Sequence, residues 1–473
     1  MNSKISQGYY SISCAEFRRT EPTTHNLVIN LYQWGSAQAQ PIKRFYAGAS
    51  GDVTFYLAEN GNDEAAGTST DAPWKSIDRV NKAMAEGDIA YGDTILFQRG
   101  QRFYGEFPSL PDPSGDERLT FGAYGKGDRP QIMGYKVLNK REAWSKAGAN
   151  LWQIYLGDAN NYFGNTSSTE ERGGNVGLLR LNNNLHGNKK ASVAELKADW
   201  DFHSDSTTKV LTICIPENPT GYGDLRVAVD GRIFQARSNT TIQGLDLIGC
   251  GGHGIQVVGA SGVRIFNNRV RQIGGSELIG YSVPNTRYGN GIEMWIGSSD
   301  VMVESNIIYD VYDVAVTLQG EQENDFIGWK NVHVKNNRIT RCSQSFEVWA
   351  TGSNRGPGAG YQDCSFTGND CSDAGVGWGY EARTNKDEGG VHLLSYAEDL
   401  PMDLKVTGNR FIGAQNAYMY RSPQGKSQMV IDNNEIQLKA GQKLQQQRSE
   451  TIEQHEAWSG ATGFDKSSTF KIA

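Results

Sequence analysis

The chain has 473 residues, a net charge of −7 and a pI near 5.6, a balance that lacks the basic face a nucleic-acid partner would require. No apolar run reaches the roughly 18 residues of a membrane span, and six cysteines without CxxC or Cys/His spacing give neither a disulfide framework nor a metal site. Fifty-six glycines and twenty-one tyrosines suit an all-β chain with many turns.

Residues 1–50 are polar and mixed, an arm of unknown role. The apolar stretch 27–31 is too short for a secretory signal, although Ala37-Gln38-Ala39 would serve as a cleavage site. A strand is expected at Thr54–Leu57, then a turn at Asn60-Gly61-Asn62-Asp63. A helix follows whose apolar residues Ile77, Val80 and Met84 recur at helical spacing. The segment 92–97 reads as a further strand. Asp63 and Asp93 are candidate metal ligands, but aspartates in turns usually serve the turn itself. Short strands are expected through 118–157 around Phe121, Ile132, Trp152 and Ile154. A polar loop follows over 158–175, and irregular coils over 176–233.

From 239 to 438 the chain repeats. Asn268, Asn306, Asn337, Asn369, Asn409 and Asn434 each stand two residues before Val270, Ile308, Ile339, Cys371, Phe411 and Ile436. Three residues ahead of each Asn lies another apolar residue: Ile265, Val303, Val334, Phe366, Val406 and Ile431. Starting from Leu247, the anchors are spaced by 23, 38, 31, 32, 40 and 25 residues. A minimum period in the low twenties with variable insertions indicates stacked β-coils, each burying its inward face against its neighbours. The recurring Asn implies a ladder of side-chain amides from coil to coil. Length alone would suggest about three domains; a solenoid escapes that rule. Residues 51–440 are therefore read as one parallel β-helix, and 441–473 as a tail closing its last coil. Cys250, Cys342, Cys364 and Cys371 fall in inward columns as small core residues.

This repeat, clearest in the stretch SDVMVESNIIYDVYDVAVTLQG, resembles the right-handed parallel β-helix proteins over roughly residues 54–440. Those are mostly carbohydrate-active: polysaccharide lyases, glycoside hydrolases, uronan epimerases and phage tailspikes. The resemblance implies an all-β solenoid, a polysaccharide partner and an extracellular or periplasmic location. It leaves the reaction open, because the fold hosts several chemistries. The strand–helix–strand order of 54–97 is also similar to the N-terminal cap of such proteins, where an amphipathic helix covers the exposed end of the first coil.

Strand alternation then selects the outward residues. With Ile255, Ile292, Val316, Phe346 and Val391 inward, one outward column reads Gln256, Glu293, Thr317, Glu347, His392. A second reads Val258, Trp295, Gln319, Trp349, Leu394. Placing His392 there treats 375–389 as an insertion; the rival alignment puts Gly379 and Glu381 in that column. Glu293 and Glu347 thus stand two strands apart, about 9.6 Å of backbone, a spacing that suits the acid and base of an inverting glycosidase. Asp313 is the best substitute for either, then Asp310, with His392 and His253 as base or proton relay. Trp295 and Trp349 offer flat faces for pyranose rings, with Gln319 between them. Loops 274–289, 321–328, 351–360 and 375–389 would wall a groove, bringing Arg287, Tyr288 and Arg355 to the substrate and also carrying Glu321, Glu323, Asp325, Asp387 and Glu388.

An inverting glycoside hydrolase without cofactor is the leading expectation. A lyase is the first alternative, using His392, Tyr380, Arg383 and Lys386, with calcium as a possible cofactor. Its Asp-Pro-His-Asp signature is absent. A non-catalytic, tailspike-like glycan binder is the second alternative. The oligomeric state stays open.

Overall fold

The computed structural model describes residues 52–473 outside 114, 167–171, 183–186, 321–327, 351–359, 397–399 and 422–428. The N-terminal arm and the loop residues Glu321, Glu323, Asp325 and Arg355 lie outside the described residues.

The chain folds as a right-handed parallel β-helix. One parallel sheet of ten strands runs from Thr54–Leu57 to Val430–Asp432. A second sheet of sixteen strands carries two tracks, joined where the long strands Ile307–Glu321 and Arg338–Thr351 turn a corner and belong to both. The interior is one continuous apolar stack, in which Ile255, Ile292, Val316 and Phe346 lie in line. Cys250, Cys342, Cys364 and Cys371 are buried and free.

The six asparagines form the expected line at the turn between the two sheets. Each Nδ2 donates to the Oδ1 of the next: Asn268 to Asn306 at 3.2 Å, Asn306 to Asn337 at 3.0 Å, Asn337 to Asn369 at 2.9 Å, Asn369 to Asn409 at 3.0 Å and Asn409 to Asn434 at 3.1 Å. Asn434 ends the row on Asp465 Oδ1 at 3.0 Å. The residue before each Asn has a left-handed backbone, with φ between 55° and 67° at Asn267, Ser305, Asn336, Gly368, Gly408 and Asn433. Only Gly and small polar residues adopt that conformation cheaply, which is why those types recur there.

Both ends are closed. Helix α1 (Ile77–Glu86) begins at Ser76, whose hydroxyl accepts from Arg79 N, ends at the left-handed Gly87, and buries Ile77, Val80, Ala83 and Met84 over the first coil. Asp63 accepts from Lys75 N and Ser76 N, and Asp93 from Val53 N and Ala90 N; both serve backbone amides. At the far end the strand Thr469–Ile472 extends the stack, and Trp458, on a helix spanning His455–Thr462, is fully buried.

The segment expected as irregular coils is part of a separate, mostly antiparallel body. Between Gln131–Met133 and Arg232–Ala236 the chain leaves the stack and forms two five-stranded sheets, with their own core of Leu138, Ile154, Leu179, Phe202, Ile213 and Val227. Alternating apolar residues fit a strand of either pairing, so the sequence pattern there does not separate coil from hairpin.

Candidate active site

Backbone pairing aligns Gln256, Glu293, Thr317 and Glu347 on consecutive coils, and likewise Val258, Trp295, Gln319 and Trp349. The fifth coil differs from the expected register. Glu347 pairs with Leu394 and Phe346 with Leu393, two residues beyond the expected partners. His392 is therefore not a neighbour of Glu347 in the outward column. It is fully buried at an interior corner, bonded through Nδ1 to Ser345 Oγ at 3.0 Å and through Nε2 to Gly413 O at 2.9 Å. The 375–389 insertion contains the helical turn Trp378–Glu381 and no strand, and the strand after it begins with Val391 opposite Gln344, two residues earlier on the neighbouring coil than the sequence reading placed it.

Glu293 is 1% exposed; three side-chain amides donate to its two oxygens, and His253 stands within ion-pair distance. Oε1 accepts from Asn290 Nδ2 at 3.0 Å and Gln319 Nε2 at 2.7 Å; Oε2 accepts from Gln256 Nε2 at 2.5 Å and faces His253 Nε2 at 3.2 Å. The orientation of each partner is itself fixed. Arg232 Nε donates to Gln256 Oε1, and Thr317 Oγ1 donates to Gln319 Oε1. The backbone N–H of Asn290 donates to His253 Nδ1 at 3.2 Å, so the imidazole proton sits on Nε2, facing Glu293. Burial holds the His253 pKa below its usual value, against the pull of Glu293. A carboxyl engaged by three amides and set against an imidazole is poorly placed to meet a substrate or a water.

Glu347 has the opposite surroundings. It is 7% exposed, and no hydrogen bond from the described residues reaches its carboxyl. Burial pushes its pKa well above the usual carboxylate range. The Asp313 carboxylate adds to this more than Glu293 does, and Arg383 works against it. Asp313 is half-buried, with Oδ1 held by Arg383 Nη1 at 2.8 Å. Its Oδ2 accepts from no described residue. A buried carboxyl whose proton is held more tightly than usual, near a second carboxyl with an oxygen that no described residue engages, is an arrangement that general-acid and nucleophilic chemistry can use.

Other candidates fall elsewhere. Asp310 is clamped by both Arg341 Nε and Nη2, at 2.9 and 3.1 Å, and takes no part in the cluster. Arg287 spends three of its five N–H donors, one from each nitrogen, on the carbonyls of Gly275, Ala382 and Gly177, so it staples loops together. Tyr288 donates to Asp230 at 2.5 Å and sets its ring against His253, 5.2 Å away. Both His253 and Tyr288 thus back the site from behind. Trp295 and Trp349 are half-buried, but their rings do not stay a two-strand spacing apart. They lean together over Gln319 to 6.1 Å and 27°, forming one platform.

Sequence reasoning gave no role to Asn290, Arg232 or Asp230, because single polar residues in the glycine-rich bends carry no periodic signal. It gave Arg383 a part only in the lyase alternative and named Glu388 only as a loop residue. The loop is held by Asn416 Nδ2 on Gly389 O at 2.7 Å and on Tyr380 OH at 2.8 Å.

Residues 226–453 match the family model of the right handed beta helix region, a little under half of the chain. Over 82 residues the chain is 37% identical to the lacto-N-biosidase of Bifidobacterium longum subsp. longum; the stretch is 17% of this chain and only 5% of that protein. Among solved structures, the complex of XylC with xylose covers 82% of this chain and 76% of its own, at 12% identity and a TM-score of 0.49. The GH136 lacto-N-biosidase of Eubacterium ramulus covers 89% and 68%, at 12% and 0.39. Pectate lyase Pel9A covers 83% and 70%, at 12% and 0.41.

Proposed function

We propose that this chain is a glycoside hydrolase acting on an extended polysaccharide, with Glu347 as general acid and Asp313 as its partner carboxylate. The observation that carries this is the contrast between Glu347, buried and without a hydrogen bond from the described residues, and Asp313, one oxygen of which no described residue engages. The local identity with a lacto-N-biosidase is in line with cleavage of a glycosidic bond.

Glu347 donates its proton to the glycosidic oxygen as the bond to the anomeric carbon breaks. Asp313 Oδ2 attacks that carbon and forms a glycosyl ester, while Arg383 steadies the other oxygen. Glu347, now a carboxylate, takes a proton from water, whose oxygen displaces Asp313 and regenerates both groups. This double displacement replaces the inverting pair of Glu293 and Glu347 expected from sequence, since Glu293 is buried and engaged by Gln256, Asn290 and Gln319. Glu293 instead contributes a fixed negative charge to an oxocarbenium-like transition state.

A lyase needs a cation to neutralise a uronate carboxylate. Arg383 is committed to Asp313 and Arg287 to three carbonyls, which counts against that reading. No helix among the described residues is long and apolar enough to cross a membrane. On this reading the polymer is met outside the cytoplasm.

The test is incubation with a panel of neutral and acidic polysaccharides. New reducing ends without the ultraviolet absorbance of an unsaturated uronate are expected, with the anomeric configuration retained in the fresh product. Glu347→Gln should lower turnover by at least about a hundredfold. Normal turnover in that variant sinks the assignment, and an inverted product removes Asp313 as nucleophile.

A further inference from the structure

One coil beyond Glu347 the outward position is Leu394, and two half-buried tyrosines flank it. Tyr396 continues the row of Trp295, Gln319 and Trp349, since its backbone N–H donates to Val348 O at 3.2 Å and Ser395 pairs with Val348. Tyr420 pairs with Leu394 from the next coil, and the two tyrosine rings stand 6.0 Å apart. Both hydroxyls converge on one carboxyl: Tyr396 OH donates to Glu388 Oε2, and Tyr420 OH to Oε1 at 3.4 Å. Glu388 arrives on the loop pinned by Asn416, so its position is set by the fold.

Nothing in the catalytic step described above uses this cluster. It still shares the sheet face and the charge field of Glu347. From the strand Ile292–Trp295 to the strand Ala417–Arg421 the aromatic row crosses four strand spacings, about 19 Å, long enough for several sugar rings in line. A carboxyl oriented by two phenols, with aromatic faces beside it, is a receptor for paired sugar hydroxyls or an ammonium group. It repels a carboxylated sugar.

We propose that Tyr396, Tyr420 and Glu388 form a separate binding subsite for a neutral or amino pyranose of the same chain, on the C-terminal side of Glu347. This rests on the glycan reading above for its substrate, but it makes its own prediction about binding.

The experiment is affinity gel electrophoresis in gels holding xylan, laminarin, pectic galactan, chitosan or alginate, with wild type, Tyr420→Ala, Tyr420→Phe, Glu388→Gln and Glu347→Gln. At least one neutral or amino polysaccharide should retard the wild type. Tyr420→Ala and Glu388→Gln should each weaken that binding by roughly five- to tenfold, the scale of one lost ring contact or charge-assisted hydrogen bond. Tyr420→Phe, which keeps the ring and the packing on Leu394, should lie between Tyr420→Ala and the wild type. Glu347→Gln should bind within about twofold of the wild type, as expected for a group that acts in the transition state. Unchanged binding in Tyr420→Ala and Glu388→Gln overturns the subsite, as does strongest retention by alginate or retention by none. Weakened binding in those variants, together with full cleavage by Glu347→Gln, keeps the subsite and removes the catalytic assignment. The reverse pattern does the opposite.

Discussion

Arg383 Nη1 lies 2.8 Å from Asp313 Oδ1, so one guanidinium both orients the proposed nucleophile and opposes the forces that keep Glu347 protonated. A general acid works only while protonated, so activity holds below the Glu347 pKa and is lost as pH rises through it. Arg383→Gln removes the cation, so the alkaline limb of kcat/KM should move to higher pH while kcat falls because Asp313 has lost its anchor. Glu388→Gln removes a negative charge, so it should move the same limb to lower pH. Profiles of the two variants against the wild type check both directions; a common shift in one direction would show that Glu347 does not set the limb.

His253 should behave as a neutral base-side prop, not as a proton relay. Its Nδ1 receives the Asn290 N–H and its Nε2–H faces Glu293, while burial depresses its pKa. Heteronuclear NMR of the imidazole nitrogens should show a protonated Nε2 and a bare Nδ1 at neutral pH. No titration should appear near the ordinary histidine value. A doubly protonated ring at pH 7 would mean that the Asn290 contact is misread.

The amide ladder should hold a large share of the stability. Asn337 donates Nδ2 to Val303 O and to Asn369 Oδ1, and its own Oδ1 accepts from the N and Nδ2 of Asn306. Asn337→Ala strands these groups in the interior, at a cost of about 3–5 kcal/mol. Asn60, exposed in a turn and outside the left-handed region, is the control, and its Ala variant should change stability by less than about 0.5 kcal/mol. Urea unfolding midpoints of the two variants decide the matter. Equal effects would make the ladder ornamental.

How much of this was legible in the residues follows from which interactions leave a period. The Asn frame repeats because each coil must make the same left-handed turn, so the fold, the ladder and the alignment of Glu293 with Glu347 and of Trp295 with Trp349 could be read directly. The slip at His392 came from an insertion beside a strand whose apolar residues Val391, Leu393 and Leu394 fit either register. Arg287 and Asp310 were misjudged because a charged residue in a loop looks the same in sequence whether it meets solvent, a carbonyl or a counter-ion. Asn290 and Arg232 were missed because they act once, on particular neighbours. The antiparallel body between Tyr135 and Val229 was invisible as such, since its pairing is set by contacts far apart in the chain.

His392 gives the sharpest test of the corrected register. Its ring is fully buried, Nε2 donates to Gly413 O at 2.9 Å, and Nδ1 accepts from the Ser345 hydroxyl at 3.0 Å. Burial lowers its pKa from 6.5 to about 4. The unfolded chain binds a proton at this histidine below about pH 6.5, whereas the folded chain stays neutral down to about 4. The folded state therefore keeps the full contribution above the unfolded value and loses it progressively as pH falls toward the folded one. At 1.36 kcal/mol per pH unit the loss across that window is at most about 3.4 kcal/mol. His392→Gln keeps a donor for Gly413 O but cannot titrate. It should flatten the fall in stability between pH 6.5 and 4 relative to the wild type, while leaving the alkaline limb of activity where Glu347 puts it. If the variant unfolds with the same pH dependence as the wild type, or if its activity profile moves instead, then His392 faces the groove after all and the two-residue shift at Leu394 is wrong.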